Sequence, residues 1–248
     1  FPSWSRLSYK ERAVYLDKIA DEIEKDIDRL AALESMDTGK PLSLARSLDI
    51  PRAVENFRFY AGAVRHEATD CHMTGGSISA DVNDPANTAA LNYTHRYAAG
   101  VGGIITPWNL PLYLLTFKAA AALGCGCTLV VKPSELTPLT ADALAEICAR
   151  VGLPKGVFNV VHGLGAEAGQ VRLILIISTH SSVISCSSYL ILISSSTLGL
   201  VASPDVPLIS FTGGTFTGGI VNATAAPMFK KVCAIYTATD ISPHHQSF

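Results

Sequence analysis

Between residues 101 and 161 the chain alternates between two textures, and that alternation restricts the fold more than any other feature. Val101-Gly-Gly-Ile-Ile105 reads as a buried strand, Leu112 to Leu123 as an apolar helix, and Thr128-Leu-Val-Val-Lys132 as a second strand. Thr140 to Val151 follows as a second helix and Val157-Phe-Asn-Val-Val161 as a third strand. Short apolar strands separated by helices pair in parallel, because each helix returns the chain to the same end of the sheet. The expected class is therefore α/β, a parallel sheet with helices on both faces. Pro207-Leu-Ile-Ser-Phe211 supplies a further strand, ending at Thr212-Gly213-Gly214, where a helix can begin. Ligands of such sheets bind beyond the carboxyl ends of the strands. Residues 106–109, 132–135, 163–165 and 212–218 are thus expected around one crevice.

The first quarter of the chain has a different character. Ser8-Tyr9-Lys10-Glu11 fits a capping box, after which Leu16, Ile19, Ile23, Ile27 and Leu30 recur at helical spacing towards the stop signal Thr38-Gly39-Lys40-Pro41. One long amphipathic helix is expected here, and Pro51 suits the first turn of another, carrying Val54, Phe57, Phe59 and Tyr60. Residues 71–98, rich in turn formers, read as short half-exposed strands. Of the 40 charged residues, 21 lie within residues 1–60. The total of 19 basic and 21 acidic residues gives no electrostatic case for nucleic acid or an acidic membrane, and 48% hydrophobic residues exclude a disordered chain. Six scattered cysteines and no secretory signal point to reduced thiols in a cytoplasmic protein. Cys125-Gly126-Cys127 reads as packed thiols, and His66, Cys71 and His72 lack a second ligand pair, so no metal is expected.

Residues 171–199 do not fit the alternation. No charge falls between 173 and 200, which raises a membrane span, but 12 of those 28 residues are Ser, Thr or His, costly in hydrocarbon. The segment reads instead as an insertion foreign to the fold, and no membrane is expected.

Four motifs carry chemistry. Ile105-Thr106-Pro107-Trp108-Asn109-Leu110-Pro111 follows a strand and holds an amide between two prolines, where it can face an oxygen that becomes negative or simply shape the turn. Lys132-Pro133-Ser134-Glu135 sets a cation and a carboxylate at a strand end, able to hold sugar hydroxyls or to pair in solvent. Gly163-Leu-Gly165-Ala-Glu-Ala-Gly169 and Phe211-Thr-Gly213-Gly214-Thr215-Phe-Thr-Gly218 are glycine-rich turns that let backbone amides approach a pyrophosphate.

In order and spacing, P-W-N-L-P, V-K-P-S-E-L-T-P, G-L-G-A-E-A-G and P-L-I-S-F-T-G-G-T-F-T-G resemble the NAD-dependent aldehyde dehydrogenase superfamily. S-L-A-R-S-L-D-I-P-R-A-V-E-N-F-R-F-Y-A is closest to its 2-aminomuconate and 2-hydroxymuconate semialdehyde branch. The resemblance implies a Rossmann-like sheet and NAD as cofactor. Ile105, Thr106, Pro107 and Trp108 would line the cleft, and Lys132 and Glu135 would hold the adenine ribose. Gly165, Phe211, Gly213, Gly214 and Gly218 would lie along the cofactor. Asn109 would stabilise the oxyanion, and Arg52 would bind a substrate carboxylate. It further implies a small aldehyde as partner and a homo-oligomer in the intact family.

The resemblance covers residues 1–170 and 200–232, expected to form an NAD-binding domain in which 79–98 belong to bridging strands. Residues 171–199 would be the insertion, a retained intron beginning at Val171-Arg172, and 233–248 a non-family tail. The family's general-base Glu would fall near Ile235, its nucleophilic Cys lies further on, and Cys233 does not match that Cys. The expectation is an incomplete cofactor domain without the catalytic domain and without turnover, the alternative being a non-catalytic nucleotide-binding or subunit-interaction module.

Overall fold

The structure, a computed structural model, describes residues 1–75, 83, 89–163 and 196–237. The amino-terminal part is helical: α1 (Pro2–Ser5), α2 (Tyr9–Lys25), α3 (Ile27–Thr38), a single turn α4 (Leu42–Leu44), a π-helical turn Ala45–Asp49 and α5 (Ile50–Arg65). The capping box forms as the sequence leads one to expect, with the Glu11 N–H donating to Ser8 Oγ and the Ser8 N–H donating to Glu11. The long helix expected up to Thr38 is two helices. It breaks at Asp26, whose carboxylate takes Arg29 at 2.8 Å and Arg150 of a distant helix at 3.2 Å, ion pairs that fix the junction at the bend. Gly39 ends α3 in the left-handed conformation, φ 72°, donating its N–H to Ser35 O.

Two short strands, β1 (Cys71–Thr74) and β2 (Ala90–Tyr93), pair antiparallel with both faces exposed. Then come β3 (Val101–Ile105), α6 (Pro111–Gly124), β4 (Thr128–Lys132), α7 (Leu139–Arg150), β5 (Phe158–Val160), α8 (Ser196–Ala202), β6 (Leu208–Gly214), α9 (Thr215–Ala225) and β7 (Lys231–Thr237). The sheet order is β5-β4-β3-β6-β7 with every pair parallel. The chain builds outward from β3 to β5, returns to β6 on the other side of β3, and so creates a topological switch point between β3 and β6.

Alternate strand residues enter two cores. Ile104, Leu129 and Val131 pack with α2, α5, α6 and α7, whereas Ile105, Val130, Ile209 and Phe211 pack with α8 and α9. Gly103 lets α8 approach the sheet: a Cβ there would lie 2.9 Å from Ile209 Cδ1 and 3.1 Å from Leu200 Cγ. Gly126, at φ +88°, makes the turn from α6 into β4 that a side chain would strain.

Two boundaries expected from sequence fall inside regular structure. Helix α8 crosses 199/200, with Thr197 and Leu200 both buried, and β7 crosses 232/233, each of its residues pairing with β6. Residues 171–195 and 238–248 lie outside the described residues, among which no helix is long and apolar enough to cross a membrane.

Phe57 is fully buried between the helices and the sheet, while Met36 on α3 is exposed. Phe57→Ala is expected to cost about 3–5 kcal/mol and Met36→Ala less than about 0.5 kcal/mol, as read from urea unfolding.

Candidate functional site

At the switch point Ile105 stands in register with Lys132 on one side and Phe211 on the other. The pairing continues one residue beyond β3, where the Thr106 N–H donates to Lys132 O at 3.3 Å. The chain then leaves the sheet through Pro107 and the exposed Trp108 to the half-buried Asn109. Asn109 Oδ1 accepts the Leu110 N–H at 3.1 Å, so the carbonyl half of the amide is used in holding the turn. Its NH2 makes no hydrogen bond among the described residues and remains available to an acceptor above the strand end.

Across the crevice, Lys132 is buried and its Nζ donates to Glu135 Oε2 at 2.9 Å, while the Glu135 side chain stays in solvent. Gly213 and Gly214 end β6, and α9 begins at once with no side-chain cap on its amino terminus and no acidic residue in its first turn. Its leading N–H groups thus keep their full partial positive charge at the crevice. Two expected cofactor residues serve packing in the fold. The Phe211 ring lies in the core beneath α9, and a Cβ on Gly218 would collide with the Tyr236 ring, so Gly218 serves close packing of α9 on β7. Gly165 lies outside the described residues. Arg52, exposed on α5, stacks over the Tyr113 ring at 5.4 Å, one helical turn along α6 from the Asn109 loop.

A separate cleft of about 430 Å³ lies at the opposite, amino ends of the strands, among Tyr9, Arg12, His95, Arg96 and Cys125. The crevice, at the carboxyl ends of a parallel sheet, is the position from which such folds act.

Two groups of functional interest escaped the sequence reading. Lys40 Nζ stands 2.6 Å from Asp49 and 3.6 Å from Glu34, both buried, and 3.5 Å from Asn109 O, tying α3 and the π-helical turn to the crevice loop. Burial raises the Glu34 carboxyl above its ordinary range despite the lysine. Glu34, Lys40 and Asp49 lie within sixteen residues of one another but in no motif, and only the contact with Asn109 is distant in sequence. Lys118 is the other, and it did carry a signal, as the one charge in the apolar run from Leu112 to Leu123. Its Nζ donates to Ser210 Oγ at 2.8 Å, and burial pushes its pKa down to about 8.

Lys40→Met, which strands two buried carboxylates, is expected to destabilise the fold by about 3–5 kcal/mol in urea unfolding at pH 7. Lys118 has the opposite sense. Between about pH 8 and 10.5 the unfolded chain holds a proton that the folded chain has shed, so stability rises with pH across that window. Lys118→Met is expected to be the more stable protein at pH 7 and to lose that rise, worth up to about 3 kcal/mol, in unfolding curves at pH 7.5 and 10.

The sequence profile of the aldehyde dehydrogenase family matches residues 1–181. The 2-aminomuconic semialdehyde dehydrogenase of Danio rerio is 40% identical over 232 residues, 94% of this chain and 40% of that protein. The 2-hydroxymuconic semialdehyde dehydrogenase of Pseudomonas sp. (strain CF600) is 39% identical over 229 residues, 92% of this chain and 40% of that protein. The crystal structure of PnpE in complex with nicotinamide adenine dinucleotide superposes with a TM-score of 0.75 at 33% identity, covering 95% of this chain and 40% of that one. The chain thus spans about 40% of the length of the curated relatives it matches.

Proposed function

The chain belongs to the aldehyde dehydrogenase family, and we propose that it holds NAD across the β3–β6 switch point as the coenzyme-binding part of a semialdehyde oxidation. One observation carries this reading: the uncapped amino terminus of α9 and the free amide of Asn109 flank the same pair of strand ends. The first suits a pyrophosphate and the second an oxygen gaining charge, the two anionic centres such a reaction presents.

The residues present fit the cofactor. The backbone at Gly213 and Gly214 carries no Cβ to hold a phosphate away, and the paired Lys132 and Glu135 offer a donor and an acceptor to ribose hydroxyls. Thr106, Pro107 and Trp108 are proposed as the wall between them, with Ile105 contributing its backbone while its side chain lies in the core. Bound NAD supplies the hydride acceptor for oxidation of an aldehyde and water to an acid. Asn109 orients the aldehyde by donating to its oxygen, and Arg52 pairs with a carboxylate at the far end of the molecule. The muconic semialdehydes named for the relatives have both groups, and that is the substrate class proposed. Residues 1–170 and 200–232 are proposed as the NAD-binding unit.

The 248 residues are proposed to bind without turnover. Ile235, paired with Thr212 near the end of β7, stands where the family resemblance leads one to expect an acid that activates water, and its side chain can move no proton.

NAD is expected to raise the melting temperature of the intact chain progressively as its concentration exceeds the dissociation constant. Glu135→Ala should weaken binding by about tenfold or more, as loss of a charged acceptor predicts. Added muconic semialdehyde should yield no NADH absorbance. A melting temperature unmoved by millimolar NAD contradicts the reading.

A further inference from the structure

The carboxyl end of α3 and the turn after it carry three charged residues at a spacing of three, Glu34, Asp37 and Lys40. Their partners lie at the ends of the two loops that bound the crevice. The Leu139 N–H, the first of α7, donates to Asp37 Oδ2 at 2.8 Å. Lys40 Nζ lies 3.5 Å from Asn109 O and is itself held by Asp49 at 2.6 Å. Glu34 is fully buried, and neither of its carboxylate oxygens completes a hydrogen bond. Besides Lys40, the donors acting on it are the Thr140 hydroxyl and the Leu112 N–H. Leu112 and Thr140 stand in the first turns of α6 and α7, and neither helix is capped by the side chain of its own N-cap residue. Two helix amino termini thus converge on carboxylates of a third helix, where their partial positive charge meets an anion.

The placing of these helix starts fixes the crevice. Helix α6 begins at Pro111, two residues after Asn109, and α7 at Leu139, four residues after Glu135. A displacement of either start therefore carries with it the amide or the ribose-facing carboxylate. The α3 side is stiff. Ser35 Oγ donates to Lys40 O at 2.7 Å, and the left-handed Gly39 closes the turn between them.

We propose that Glu34, Asp37 and Lys40 are positioning residues for the crevice: Lys40 and Glu34 set the Asn109 turn, and Asp37 sets the loop that carries Glu135. The proposal rests on reading the crevice as the site of NAD and aldehyde, but the hold of α3 on the two loops is measurable without either ligand. Such a hold matters to chemistry, because misplacing a reacting group by about 1 Å costs about 100-fold in rate.

Amide hydrogen exchange of the intact chain, without NAD, compares Asp37→Ala with Ser8→Ala. The second change removes the capping box of α2, beside the cleft at the opposite ends of the strands, and so costs a helix cap far from the crevice. In Asp37→Ala the Thr137 and Leu139 amides are expected to exchange about fivefold faster or more, while Leu129 and Val131 of β4 change no more than in Ser8→Ala. For the Asn109 turn the variants are Lys40→Met and, should that not fold, Glu34→Gln, which keeps the volume and removes the charge. Either is expected to quicken exchange at Leu110 and Leu112 by a similar factor. Calorimetric titration adds a readout that a plain cap would not move: Asp37→Ala weakens NAD binding about threefold or more, and Ser8→Ala leaves it unchanged. Asp37→Asn, whose side-chain carbonyl still accepts the Leu139 N–H, restores it. A wild-type chain that does not bind NAD ends the NAD reading, and the exchange comparison then decides by itself whether α3 holds the loops. Crevice amides that quicken no more than those of β4, or NAD affinity lost equally in Ser8→Ala and Asp37→Ala, would overturn the proposal.

Discussion

The parallel pairing of β3 with β6 is the interaction on which the rest depends. It joins residues about a hundred positions apart, from Gly102 opposite Leu208 to Ile105 opposite Phe211. Loop-closure entropy opposes such a contact, and what offsets it is the second core, in which Ile105, Ile209 and Phe211 from the two strands meet Leu200 and Val201 of α8. Gly103 is what allows α8 to reach that core. Without the β3–β6 pairing the carboxyl-terminal elements would have no sheet to join, and the crevice, bounded by the ends of these two strands, would not exist.

The same pairing explains why one buried lysine is tolerated. Lys118 comes from α6 on one side of the sheet and finds its acceptors on β6, so its hydrogen bonds form only once β6 has taken its place. The cost of burying a cation with neutral partners falls on stability at neutral pH. The Glu34–Lys40–Asp49 cluster differs, since there opposite charges are buried together and the lysine also faces the backbone of Asn109. One buried lysine ties its carboxylates to the crevice loop, and the other joins α6 to β6 beneath it.

Much of this was legible in the sequence, for identifiable reasons. The strands β3, β4 and β5 and the helices α6 and α7 agree to within about two residues, because β3 and β4 are buried along almost their whole length and must be apolar, and turn formers bound the others. The break at Asp26 was not legible, since apolar periodicity runs through it and the ion pair to Arg150 that fixes it is tertiary. Strand β7 was set aside because Cys233 to Thr237 depart from the family pattern. Pairing needs only the alternation that places Val232 and Ala234 against the core and Cys233 and Ile235 on the other face. Motifs placed the residues around the crevice, but Phe211, whose ring lies in the second core, shows that a motif names positions without saying which way a side chain points.

Amide hydrogen exchange at Ile105, Phe211 and Thr215–Thr217, with and without NAD, tests the central claim most directly. If the β3–β6 switch point forms and holds the cofactor, Ile105 and Phe211 exchange as slowly as the core of the sheet, and the first-turn amides of α9 gain protection when NAD is added. Free exchange at Phe211 while Ile105 stays protected, or α9 amides indifferent to NAD, would contradict it.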